Sequence, residues 1–366
     1  MKARTLEELA KLSGVSRSTV SRVLNGGSVG ESTKRRVLAV VEKSSYQPNL
    51  AARRLAQGRT GILGLVFHTD AADLFGDPYW SLLLKGTTDA AATRATGVML
   101  WLKTSSPAEL LSSVLGVGLI DGAVVTASYR NDPLVDGLVE SDLPIVLVGH
   151  GGHSERASYV DIDDLAAATQ LVTYLIDLGR RRIATVAGPA RSVAGSDRSE
   201  GYRRALWRAG LAVDERLVVE GDFNEASGHA CTMRLLESGA EFDALFAAND
   251  SMARGALRAL TQHGLNVPDD VALAGFDDVD FAEQLSLTTV RQPVQRMGEL
   301  ATTTLLELID SPDGGPRRVI LPTELIARRS TEGPTMNAWS PGSEPGDHAE
   351  LPPGMATRNR PPNGGS

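Results

Sequence analysis

A chain of 366 residues and 38.8 kDa with 42% hydrophobic content can fill the cores of two or three domains, which excludes wholesale disorder and a small stapled fold. One cysteine, Cys231, leaves no internal disulfide and no thiolate metal cluster, and makes the reducing cytosol the simpler setting. Met1-Lys2-Ala3-Arg4-Thr5 runs straight into Glu7 and Glu8 with no apolar export segment, and runs such as Gly61 to Phe67 fall far short of the roughly 18 residues that cross a bilayer. The expectation is a soluble, cytoplasmic protein without a membrane partner.

The formal net charge of -8 conceals an asymmetry. Residues 1–60 hold 12 Lys/Arg against 4 Asp/Glu, whereas residues 61–330 hold 23 against 37. A basic head on an acidic body implies that only the head approaches a polyanion, so the head is expected to bind nucleic acid.

The first 47 residues read as three short helices. Thr5-Leu6-Glu7-Glu8 has the form of a capping box, and Leu6, Leu9, Ala10 and Leu12 make an apolar stripe ending at Ser13-Gly14. Ser16 can cap a second helix running to about Leu24, with Val20, Val23 and Leu24 turned to the core. A third stretch, about Glu31 to Ser44, places Val37, Leu38, Val40 and Val41 on an apolar side. A helix, a tight turn and a second helix form a device that lays the second helix in the major groove. Arg17 can then donate two bonds to a guanine, Ser18 can donate or accept, and Arg22 lies one turn beyond Ser18; Ser16, Thr19 and Ser21 suit backbone oxygens.

From Gly61 to about Ser330 short apolar strands alternate with longer helices. Expected strands are 62–67, 97–103, 122–126, 145–149, 182–187, 244–247 and 271–275, and helices include 80–94, 164–178, 199–209, 227–237 and 250–263. This alternation indicates an α/β body with parallel sheets covered on both faces, divided into two lobes. Residues 331–366 contain 13 Gly/Pro and read as a flexible tail.

Thr5 to Gly26, TLEELAKLSGVSRSTVSRVLNG, resembles the helix-turn-helix of the LacI/GalR family of bacterial transcription regulators. Further along, Gly188-Pro189, Gly221-Asp222-Phe223, Asn249-Asp250, Gly275-Phe276-Asp277-Asp278 and Thr288 to Pro293 are similar to family landmarks. The resemblance implies a headpiece at 1–47, a hinge helix and linker at 48–60, and a periplasmic-binding-protein-like effector and dimerisation body at 61–330, with the tail after it. Lobe 1 would take about 61–161 and 292–322, and lobe 2 about 162–291 and 323–330. It assigns base reading to Arg17, Ser18 and Arg22. In the segment after Tyr46-Gln47-Pro48, where Asn49 can cap a short helix, it makes Leu55 a minor-groove wedge, Ala52 a close-packing residue, and Arg53 and Arg54 brackets on the DNA.

Ligands of open α/β sheets bind beyond the carboxyl ends of the strands. Asn249 and Asp277 follow two such strands, and with the donor fork of Arg198 they suit a polyhydroxylated ligand. The resemblance places all three in the effector pocket. It adds Trp80 and Phe223 as stacking rings, although both also fit an interlobe core, and Asp278 fits a strand-end cap as well as a ligand contact. His150 follows a strand after which many sugar-binding relatives carry Asp where this chain has Gly149.

Asp70, Asp73 and Asp77 follow the first strand in what reads as a solvated loop, without the histidines of a metal site, and no nucleophile elbow or glycine-rich phosphate loop is present. Neither an enzyme nor a cofactor or metal is expected. The reading is a repressor acting as a homodimer on a pseudo-palindromic double-stranded operator and released by a small sugar. A co-repressor-dependent or nucleobase-responsive regulator is the alternative, and a solute-binding protein would lack the basic head.

Overall fold

Three helices build the head. The computed structural model describes residues 5–24, 27–44, 59–103, 106–116, 118–151, 156–311 and 315–332. Helix α1 (Leu6–Ser13) starts at Thr5, whose hydroxyl accepts the Glu8 amide while the Glu8 carboxylate accepts the Thr5 amide, both at 3.2 Å. It ends at Gly14, whose φ of 62° is the left-handed conformation that glycine adopts without steric cost. Helices α2 (Arg17–Leu24) and α3 (Glu31–Lys43) close over a core of Leu9, Ala10, Val20, Val23 and Val37. Leu38 does not join them: it is 43% exposed, because it lies about 100° around the helix from buried Val37. The expected hinge residues Asn49, Ala52, Arg53, Arg54 and Leu55, and the tail from residue 333, lie outside the described residues.

The body holds two parallel sheets. The first contains β1 (Ile62–Val66), β2 (Gly97–Trp101), β3 (Gly122–Thr126), β4 (Ile145–Val148), β5 (Ser158–Ile162) and β11 (Arg318–Leu321), in the order β11-β5-β4-β3-β1-β2. Every residue of β3 is buried, as a strand covered on both faces requires. The second sheet contains β6 (Ile183–Ala187), β7 (Val218–Glu220), β8 (Ala244–Ala247) and β9 (Ala272–Ala274), ordered β7-β6-β8-β9. Beside it β10 (Thr289–Arg291) and β12 (Glu324–Ile326) pair antiparallel. The chain passes between the lobes at 162–164, 291–294 and 321–324.

Around the first sheet lie α4 (Ala71–Gly76), α5 (Pro78–Thr93), α6 (Pro107–Leu115), α7 (Pro133–Glu140) and α13 (Val294–Asp310); around the second lie α8 (Asp164–Asp177), α9 (Val193–Arg208), α10 (Glu225–Glu237), α11 (Asp250–Gln262) and α12 (Asp280–Gln284). Helices α5, α6 and α7 share one start signal, a capping Asp or Ser followed by Pro at the first helical position. The segment expected as a solvated loop after β1 is instead helix α4, and Asp77 caps α5 by accepting the Tyr79 amide at 3.0 Å. Helix α9 begins at Val193, six residues before the expected start, which puts Arg198 inside a helix. The body also runs past residue 330: Thr331 is 3% exposed with its hydroxyl 2.7 Å from that of Thr288, and Glu332 accepts from Tyr174 at 2.8 Å. Among the described residues no helix is long and apolar enough to cross a membrane, and no His/Cys/Asp/Glu cluster could hold a metal ion.

Helices α5 and α13 pack backbone to backbone. A Cβ on Gly86 would stand 1.9 Å from the Gln295 carbonyl oxygen, and one on Gly298 would stand 2.5 Å from that of Leu83. Gly86→Ala should therefore force the pair apart and lower stability by about 1–3 kcal/mol, the usual cost of overpacking, read as a fall in the denaturation midpoint. An unchanged midpoint would show that the helices separate freely.

Candidate functional site

On the head, Val20 and Val23 turn α2 inward and leave Arg17, Ser18 and Arg22 exposed on one surface, with Ser16 exposed just before it and Ser21 half-buried. Ser16 caps the helix by accepting the Thr19 amide at 3.1 Å, and its hydroxyl lies 2.8 Å from those of both Ser18 and Thr19. Arg17 donates to Glu7 at 3.4 Å, but both side chains remain more than two-thirds exposed. A pair so open is worth little, so Arg17 can turn to a base at small cost.

In the body, the loops after strands of both lobes meet at a cavity of about 270 Å³. Trp80, His150, Arg198, Phe223, Asn249 and Asp277 all line it, brought together from six separate places in the chain. Arg198 is 5% exposed. Its Nε donates to Asp164 (2.7 Å), and its Nη1 donates to the Ala248 carbonyl (2.6 Å) and more distantly to Asp277 (3.5 Å). The guanidinium lies 3.8 Å from the Phe276 ring centroid, a cation–π arrangement strengthened by desolvation. Gln292, from the second crossing, donates to Asp277 at 2.5 Å.

Burial raises the Asp277 and Asp164 carboxyls above the ordinary range, with Arg198 opposing the rise. Burial also pushes Asp250, next to Asn249, up to about 7, although it accepts from Thr289 at 2.7 Å. Burial alone would lower the Arg198 value, but Asp164 and Asp277 outweigh it and keep the guanidinium charged. Carboxylates outnumber the cation they surround, so a proton is held more readily here than in water.

Two expected contacts have prior structural duties. Asn249 caps α11 by accepting the Met252 amide (2.9 Å) and donates to the Phe223 carbonyl (2.8 Å). Asp278 is paired with Arg291 and Arg328, each at 2.7 Å, as a strand-end clamp. Trp80 serves wall and core together: its ring meets Phe67 and Tyr79 edge-on at 5.6 and 5.0 Å.

Tyr79, His68, Tyr129, Asp161 and Gln292 also line the cavity and were not singled out from sequence. Tyr79 could have been read from its place beside Trp80 at the start of a helix. Burial first, then Asp277, drives the value of the Tyr79 hydroxyl upward. Gly149 has a φ of 80°, a conformation that disfavours an L side chain. A carboxylate arrives instead from β5: Asp161 accepts the His150 amide (3.0 Å) and stands 2.8 Å from its Nδ1. His68 Nδ1 lies 2.7 Å from Asp132 Oδ2. Burial would raise that carboxyl, but the His68 ring and the Leu134 and Val135 amides hold it below the usual range. Between the lobes Val193 donates to the Ser128 carbonyl (3.0 Å), Arg130 pairs with Asp197 (3.2 Å), and Arg191 lies 4.7 Å from the Tyr129 ring centroid.

This pairing of a helix-turn-helix with a two-lobed cleft recurs in known proteins. Residues 5–49 match the family described as bacterial regulatory proteins, lacI family, and residues 172–331 match a periplasmic binding protein-like domain. The HTH-type transcriptional regulator CelR of Thermobifida fusca is 40% identical over 332 residues, covering 89% of this chain and 98% of its own. The chain belongs to the lacI family. It is a helix-turn-helix transcriptional regulator and not an enzyme. Another lacI-family relative, AscG of Escherichia coli K12, is 33% identical over 90% of this chain and 99% of its own. Among solved structures, a CelR–cellobiose complex superposes with a TM-score of 0.71 at 38% identity, covering 90% of this chain and all of that one. A lac repressor dimer bound to operator and the anti-inducer ONPF gives 0.77 at 26% identity, covering 90% and 99%.

The bond to Asp161 raises the His150 pKa above its ordinary value, with burial opposing. A raised folded value stabilises the fold fully below the unfolded pKa of about 6.5 and loses that contribution as pH climbs through the folded value. Asp161→Asn should return the His150 ring resonance to an ordinary titration midpoint in NMR and flatten stability over that window. Identical midpoints in the two proteins would remove the pairing.

Proposed function

We propose that this regulator is a homodimeric repressor, working in the cytoplasm, that leaves a pseudo-palindromic operator when a small neutral carbohydrate fills the cleft. The observation that carries this reading is the lining of the cavity. Tyr79, Trp80, Tyr129 and Phe223 offer ring faces for C–H surfaces, while Asp277, Gln292 and Arg198 offer acceptors and donors for hydroxyls. Asp77, Asp161, Asp222 and Glu225 line it in addition to the Asp164–Arg198–Asp277 cluster, against Arg254, so the lining disfavours an anionic effector such as a sugar phosphate. The likeness to a regulator solved with cellobiose supports the same class. Two-fold pairing of the heads gives a small DNA-binding unit its affinity, as in the related lac repressor dimer on operator.

In this reading Arg17, Ser18 and Arg22 read bases, and Ser16 and Ser21 meet phosphates. Asn49, Ala52, Arg53, Arg54 and Leu55 form a hinge at 48–60 that enters the minor groove. Trp80, His150, Arg198, Phe223, Asn249 and Asp277 hold the effector. Ligand favours the lobe arrangement in which the paired hinges separate, and by linkage operator and ligand weaken one another equally.

The test starts from the duplex that the full-length protein selects out of a random pool. Fluorescence anisotropy on that duplex should show a loss of affinity of roughly 5- to 150-fold on adding the correct sugar from a panel of cellobiose, other di- and monosaccharides, and nucleobases. Tighter binding would make the ligand a co-repressor, a nucleobase response would replace the carbohydrate assignment, and silence throughout the panel would overturn the effector reading. Arg17→Ala should cost about 1–3 kcal/mol on the selected site and relax base choice at one position. Equal loss on random DNA would make Arg17 a phosphate contact. Asp277→Ala should abolish the ligand response while keeping operator selection, and an unaltered titration would show that Asp277 does not hold the effector.

A further inference from the structure

Arg59, Thr60 and Gly61 open the body on the C-terminal side of the stretch that joins it to the head, and they are held by more bonds than a passive tether needs. Thr60 donates its amide (2.6 Å) and its hydroxyl (3.0 Å) to Asp121 Oδ1, and Gly61 donates its amide to Asp121 Oδ2 (2.7 Å). Asp121 precedes β3, and its own amide donates to the Ile62 carbonyl at 2.8 Å, so both strands flanking the carboxylate are fixed to it. Arg59 reaches the end of α13, where Nη1 donates to Asp310 Oδ1 (2.5 Å) and Nη2 to the Ile309 carbonyl (2.8 Å). Arg94, the C-cap of α5, donates to the other oxygen of Asp310 at 3.1 Å. A cation suits the unpaired carbonyls of a helix end, and the Arg59 and Arg94 bonds hold the Asp310 carboxyl below the usual range.

The other ends of these two helices stand at the cleft. Asp77, Tyr79 and Trp80 at the start of α5, and Gln292 and Met297 at the start of α13, line the cavity. With 16 and 17 residues, the helices span about 24 and about 26 Å at 1.5 Å per residue. At Gly86 and Gly298 the two backbones meet with no side chain between them. We propose that α5 and α13 act as one rod between cleft and tether, and that Arg59, Asp310 and Asp121 are positioning residues clamping the tether to the rod's far end. The Arg59–Asp310 pair is about two-fifths exposed, so it adds little to the stability of the fold. Its effect is on where the head can go.

The ligand-dependent part of this proposal rests on the cleft being the effector site, so the test carries a readout that does not. Full-length protein with Arg59→Ala, Asp310→Ala, both together, or Asp121→Asn is compared with wild type by anisotropy on the selected operator and on random duplex, with cellobiose as probe ligand. The preference for operator over random DNA should fall at least about fivefold in each variant, with the double variant no worse than either single one. Calorimetric affinity for cellobiose should match wild type, as should the unfolding temperature of the Arg59→Ala and Asp310→Ala proteins, while any cellobiose-driven change in operator affinity shrinks. A preference within about twofold of wild type in both single variants, or additive losses in the double, would overturn the clamp. If Asp310→Ala fails to fold, Arg59→Ala decides from the tether side. A wild type indifferent to every sugar sinks the effector reading, whereas the operator-to-random ratio still judges the clamp.

Discussion

Everything in the cleft is arranged around a guanidinium that has almost no access to water. Arg198 would be too costly to bury alone, and removing one partner of such a pair typically costs about 3–5 kcal/mol. Its partners are therefore part of the fold: Asp164 at the start of α8, the Ala248 carbonyl at the end of β8 and Asp277 after β9. Because Gln292 at a lobe crossing donates to that same Asp277, the floor of the cavity is fixed to the connection between lobes. A ligand meeting this floor loses little free energy to ordering it, and more of its binding is available to favour one lobe arrangement over another.

Much of this was legible in the sequence, for reasons that differ from residue to residue. The capping box at Thr5 and the split of Val20 and Val23 from Arg17, Ser18 and Arg22 depend on local spacing alone, so the head could be read directly. The apolar strands β4, β8 and β9 are short and β-branched or alanine-rich, and the loops after them led to His150, Asn249 and Asp277, whereas Trp80 and Phe223 were added by the family resemblance. What was not legible depends on tertiary partners. Strand β5 carries Ser158 and Asp161 and looks polar, yet it lies inside the sheet between β4 and β11 because Asp161 is satisfied by His150 and the Ile162 amide. Strands β10 and β12 have three residues each and pair with one another from places 33 to 37 residues apart in the chain. Asn249 looked free to meet a ligand because the amide it caps and the carbonyl it bonds are set by the fold. Tyr79 was passed over beside Trp80, although both flank the same cavity.

The charge division has a mechanical consequence. An acidic body close to DNA is repelled by phosphates, so the head must be carried out in front of it, and the joining segment has to transmit orientation across that gap. A tether free at both ends would let each head search independently, and the gain from linking two half-sites would fall as the accessible volume grew. Fixing one end restores that gain only if the fixed point is rigid relative to whatever senses ligand. Arg59 is bonded to the end of α13, and α13 packs backbone to backbone on α5 at Gly86 and Gly298, with Arg94 of α5 bonded to Asp310 of α13. Under the proposal, a ligand that shifts Tyr79 or Gln292 acts at the near end of a paired lever about 24 Å long. A small rotation there becomes a larger displacement at the tether. The exposed, weak ion pairs at the far end suit this arrangement: they contribute little to the fold, yet they determine which way the head faces.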